Sequence, residues 1–130
     1  MRFNWSSNAL AEGMRCFSQQ EFFAAHEHWE TVWLTCEEPH KSFLQALIQV
    51  ASAFHHHQRN NFPGTASLLK RALRKLEAVP ACFEQVDVTE LRLAIRDWLR
   101  ALESPAPGRA FPSYPTIKIA DLSNETQKPD

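Results

Sequence analysis

Apolar residues recur every three to four positions through most of the first hundred residues, and strict alternation is scarce. That period is the signature of amphipathic helices, so the sequence predicts an all-α fold. A first helix is expected from about Ser7 to Phe17, with Leu10, Met14 and Phe17 on one side. Ser18-Gln19-Gln20-Glu21 has the spacing of a capping box before a second helix, which starts at Phe22 and runs to about Thr35. Pro39 marks a break. Ser42-Phe43-Leu44-Gln45 resembles a further capping box for a third helix, which can also begin slightly earlier and runs to about Arg59, with Asn60-Asn61 suited to a left-handed end. Pro63 fits the first turn of a fourth helix with the stripe Ala66, Leu69, Leu73, Leu76. Asp87-Val88-Thr89-Glu90 opens a fifth, striped by Leu91, Ala94, Ile95, Trp98 and Leu102.

Pro105, Pro107 and Gly108 end helical structure. The division expected is a helical bundle over residues 1–104 and a proline-rich extended tail over 105–130. Phe111, Tyr114, Ile117, Ile119 and Leu122 are too apolar for a free linker. The tail is therefore expected to pack over the bundle to about Leu122, leaving SNETQKPD free. Short connections favour antiparallel neighbours, giving a compact bundle of about five helices.

Composition narrows the picture. The 130 residues fit one domain with a real core. A net charge of -1 argues against a dedicated nucleic-acid or anionic-membrane binder. Half of the Lys and Arg side chains lie in one cluster, Lys70, Arg71, Arg74, Lys75, Arg92, Arg96 and Arg100, which reads as a solvated face. No apolar run approaches the roughly 20 residues of a bilayer span. Cys16, Cys36 and Cys82 form no paired motif and read as reduced thiols of a cytoplasmic protein.

The chemistry concentrates in FFAAHEHWETVW, Phe22 to Trp33. At about 100° per residue, Phe22, His26, Trp29 and Trp33 share one helix face. Glu30 lies beside them, Glu27 falls at the edge, and His28 faces water. The third helix carries no formal charge from Ser42 to Gln58, and Gln45, Gln49, Ser52 and His56 form a polar stripe on it. An uncharged stripe suits a semi-buried position. The expectation is a polar pocket between these two helices, built from His26, Glu30, Gln49 and His56, with Glu27 at its mouth. Such a pocket binds a small ligand or, through His26, Glu30 and His56, a divalent metal with one open position. The string is not HExxH, however. Acid–base catalysis would use Glu27, Glu30 and His26, but no nucleophile motif or glycine-rich loop accompanies them, so enzymatic activity stays open. In the HHH run His55 to His57, one imidazole turns inward and two lie at the margin. The competing reading is a protein-interaction or homodimerisation module in which the network only ties helices together. Trp5 is then the most exposed of the four tryptophans.

FFAAHEHWETVW, followed by FLQALIQVASAFHHHQRNN and FPGTASLLKRAL, resembles the domain of unknown function 309 family. The resemblance runs from about Gly13 to Leu76 and implies a compact all-helical protein with no established activity. It matches His26, Glu27, Trp29, Glu30 and Trp33, then Leu47, Ile48, Gln49, Ala51 and His56, then Asn61, Gly64 and Ala66. Ala46 and Asn60 stand where the family often has glycine.

Overall fold

Five helices follow one another, α1 (Asn8–Ser18), α2 (Phe22–Trp33), α3 (His40–Gln58), α4 (Phe62–Glu77) and α5 (Val88–Glu103). A two-residue hairpin, β1 (Cys82–Phe83) and β2 (Val86–Asp87), stands between the last two. This computed structural model describes residues 1–104 and 110–120. The expectations for Pro105, Pro107, Gly108, Leu122 and SNETQKPD therefore lie outside the described residues. Each helix packs on the next, so α3 lies between α2 and α4. α3 supplies the centre of the core, burying Phe43, Leu44, Ala46, Leu47, Ile48, Val50, Ala51, Ala53 and Phe54.

The helix ends show which local signals were used. Ser18 does not cap α2; its hydroxyl donates to the Met14 carbonyl and closes α1. Gln20 adopts a left-handed conformation (φ 63°). Its N–H and that of Glu21 return to Phe17 and Cys16, satisfying the end of α1. Asn60 (φ 62°) ends α3 in the same way, as its sequence predicts. α3 begins at His40 rather than Ser42, and Ser42 is not its cap. Instead Glu38 reaches over the first turn, accepting from the Ser42 N–H at 3.0 Å and its hydroxyl at 2.8 Å. Asp87 does cap α5, accepting from the Glu90 N–H at 3.0 Å. The return bond of a capping box is absent, because the Asp87 N–H pairs with the Lys118 carbonyl at 2.9 Å.

Gly13 sets the distance between α1 and α2. A Cβ there would stand 2.3 Å from the Trp29 indole, so only glycine lets the ring lie flat on α1. Trp29 is fully buried and its Nε1 donates to the Leu10 carbonyl at 3.2 Å.

Residues 110 to 120 are extended and lie against the bundle. Ile119 bridges Val86, adding to the hairpin edge, and Ile117 is buried. Phe111 and Tyr114 stack on Trp98 with ring centroids 5.3 and 5.4 Å away and planes within 9° and 3°.

The hairpin was not legible from the sequence. Its turn residues Glu84 and Gln85 both have positive φ, 47° and 69°, positions usually given to asparagine or glycine. Glu84 gathers distant segments: its carboxylate accepts from the Phe3 N–H and from His40 Nε2, each at 2.9 Å. Its carbonyl accepts from Trp5 Nε1 at 2.8 Å, so Trp5 is half-buried and pinned rather than free. Of the basic cluster, Lys70, Arg71 and Arg74 are exposed, while Arg92 caps the end of α4 through the Leu76 and Val79 carbonyls. The three cysteines are free thiols, Cys16 and Cys36 buried and Cys82 exposed. No helix among the described residues is long and apolar enough to cross a membrane.

Candidate functional site

The face shared by α2 and α3 holds a hollow of about 350 Å³, lined by Phe23 and His26 from α2 and by Ser52, His55 and His56 from α3. Helical spacing explains the lining. Phe23 and His26 are three residues apart, and Ser52 is three from His55 and four from His56, so each set occupies one face. No carboxylate, lysine or arginine is among the lining residues.

His26 and His56 line the same hollow, but two proposed partners do not join them. Glu30 does not turn inward. Its side chain is 53% exposed, and it touches the site only through an Oε2 contact to His26 Nε2 at 3.4 Å. Glu30 is displaced because Ala25 and Trp29 fill the buried side of α2. Gln49 is buried, yet its Oε1 accepts from Lys75 Nζ on α4 at 3.2 Å. The polar stripe of α3 is thus divided between its two neighbours: Gln49 serves α4, while Ser52 and His56 serve α2. Glu27 is exposed. Phe23 and His55 are the lining residues the sequence reading passed over, although the three-residue spacings to His26 and Ser52 were available to find them.

Among the described residues no three His, Cys, Asp or Glu side chains converge as ligands for a metal ion, the trio His26, Glu30 and His56 included.

His56 is oriented from below. Asn61 Oδ1 accepts from the Gly64 N–H at 3.0 Å, capping α4, which leaves the Asn61 amide nitrogen to donate to His56 Nδ1 at 3.1 Å. The neutral imidazole then carries its proton on Nε2. A Cβ on Gly64 would lie 2.6 Å from Asn61 Nδ2, so glycine makes room for this double contact. His26 Nδ1 is buried without a hydrogen-bond partner. Burial pushes the His55 imidazole pKa down, and the charges of Arg59, His56 and His26 push it further.

The third member of the run points elsewhere. His57 turns into the aromatic cluster beneath the tail, where its Nδ1 meets the Tyr114 hydroxyl at 2.7 Å and its Nε2 is buried without a partner. Burial holds the His57 pKa down and the Tyr114 pKa up. Glu84 lies in a third environment. Burial raises its pKa, but the His40 hydrogen bond, the Phe3 N–H and the charges of His40 and Arg2 outweigh that, and the net shift is downward.

The signs fix the pH dependence of stability. For His55 and His57, the unfolded chain binds a proton more readily than the folded one. Stability is therefore full above about pH 6.5 and falls as pH drops below it. Glu84 contributes fully above the ordinary carboxyl range and loses its contribution as pH falls through its lowered value. Urea midpoints should be flat from about pH 8 to 7, then fall in two stages, and His57→Gln should shrink the first stage. A midpoint that rises between about pH 6.5 and 5 contradicts these assignments.

Residues 10–68 match the family described as Domain of unknown function (DUF309). An uncharacterized protein of Aquifex aeolicus (strain VF5) is 29% identical over 99 residues, which cover 75% of this chain and 30% of that protein. The chain thus spans less than a third of that relative's length. The matched segment carries both halves of the hollow, Phe23 and His26 on α2 and Ser52, His55 and His56 on α3, and it is over this segment that the chain is similar to the Domain of unknown function (DUF309) family.

Proposed function

We propose that this protein binds a small molecule in the hollow between α2 and α3. The observation that carries this reading is the lining itself. Three imidazoles, one hydroxyl and a half-exposed phenyl ring converge on about 350 Å³ with no charged carboxylate or ammonium among them. That volume lies at the lower end of small-ligand sites, which pair an apolar surface with a few polar groups. Phe23 supplies the apolar platform, being 50% exposed. Ser52 and the imidazoles supply donors and acceptors. Glu27 and Glu30 stand outside as rim groups.

The test is a panel of small aromatic amides and alcohols, followed through the Phe23 ring and histidine side-chain resonances. The expected result is fragments that shift Phe23, His26, His55 and His56 together, with the shifts lost in Phe23→Ala. If every fragment leaves those signals in place, or shifts the three histidine signals equally in Phe23→Ala, the reading is wrong.

A second reading is favoured by Phe23 and Leu34, 50% and 68% exposed. Eleven residues apart, they share one outward line of α2 at about 100° per residue. In that reading a second copy of the chain covers this line and Glu27 and Glu30 edge the contact. Sedimentation equilibrium giving only the 14.9 kDa species would remove it.

A further inference from the structure

We propose that the ligand of the hollow is a small planar carboxylate, an inference that rests on the small-molecule reading above. The nearest acidic contact is at the rim, where Glu30 is drawn to His26 Nε2 and is half-exposed. Arg59 directly follows α3, one turn beyond His55, and acts on it electrostatically, together with His56 and His26. The groups facing His55 are therefore mostly cationic or potentially cationic. On α2 they are His26, with Glu30 opposing at the rim and the exposed Glu27 beside it; on α3 and just past its end they are His56, itself held by the neutral Asn61 amide, and Arg59. A bound carboxylate supplies the negative charge this cluster lacks.

The donors suit that group. His56 offers Nε2–H even when neutral, because Asn61 donates to its other nitrogen. Ser52 adds a hydroxyl. The Phe23 ring lies 5.6 Å from His26 and 5.1 Å from His55, a surface for the flat body of the ligand. The position in the helix argues against a phosphate dianion. Phosphate sites use free backbone N–H groups at helix N-termini, whereas His55 and His56 lie in the last turn of α3, which offers no such N–H cluster to a multiply charged anion. The helix dipole there favours an imidazolium, and the imidazolium in turn favours a monoanion. The imidazole that burial and its neighbours keep neutral gains its proton when the carboxylate arrives, so binding takes up a proton.

Calorimetric titration with benzoate and with benzamide, which share shape and differ in charge, tests this. Benzoate should bind about threefold to tenfold more tightly at about pH 6 than at about pH 8, and at about pH 6 it should exceed benzamide by at least about fivefold. His55→Gln should abolish the pH dependence. Arg59→Gln, at an exposed position, should weaken benzoate by about threefold and leave benzamide unchanged. Equal binding of the two probes, or benzoate binding that is flat with pH, overturns the carboxylate assignment and leaves the hollow as a binding site. Failure of both probes to bind at millimolar concentration overturns both.

Discussion

Trp29→Ala should lower the free energy of unfolding by about 3–5 kcal/mol, the range for removing a buried tryptophan. The residue is fully buried and stacks on Phe17 at a centroid distance of 5.8 Å. Its loss also removes the donor to the Leu10 carbonyl and opens a void against Gly13, where the two helix backbones were brought together by the absence of a side chain. α1 cannot close that void easily, because Phe17 is held against Phe22 as well. Small domains are stable by only about 5–15 kcal/mol, so the variant should be largely unfolded under mild denaturant. Urea unfolding followed by circular dichroism measures this; a midpoint loss corresponding to under about 1 kcal/mol would mean that the indole is not the centre of the α1–α2 contact.

Trp98→Ala should cost a similar amount, about 3–5 kcal/mol, with a different local consequence. The indole is the surface on which the tail rests: Phe111 and Tyr114 stack on it, His57 and Phe54 meet it edge-on, and its Nε1 donates to the Ser113 carbonyl at 3.1 Å. Removing it takes away most of what opposes the ordering entropy of residues 110 to 120. Trypsin should then cut after Lys118 well before the bundle is degraded. Trp98→Phe keeps a ring and loses the donor, and should cost less, with the hydrogen bond itself contributing about 1 kcal/mol. Unchanged protection of Lys118 in Trp98→Ala would show that the tail is held by the Val86–Ile119 bridge instead.

The five helices were legible because their apolar stripes obey the helical period and because Asn60, Pro63 and Asp87 act locally. Ser18 and Ser42 misled for a physical reason. A capping box is a statement about a helix's first residue, and neither serine holds that place: the Ser18 hydroxyl found a partner in the helix it ends, and the Ser42 hydroxyl found one just upstream of the helix it lies within. The hairpin left no trace because each strand is two residues long and its turn uses Glu84 and Gln85 where a sequence signal requires asparagine or glycine. In the site, one-dimensional geometry placed His26, Ser52 and His56 on facing sides. It could not show that α3 has neighbours on two flanks, so it assigned Gln49 to the wrong one. Glu30 failed on a finer point, since 40° around a helix separates a buried position from the rim.

The contacts around Glu84 bear on the order in which the chain assembles. α1 through α4 pair with their immediate successors, so those contacts close short loops and form early. The Glu84 carboxylate instead ties Phe3 across 81 positions and His40 across 44. Contacts of that sequence separation must await most of the remaining chain, because loop closure costs entropy before it returns any contact energy. The amino-terminal residues thus join last, as a clasp fastened over helices already in place.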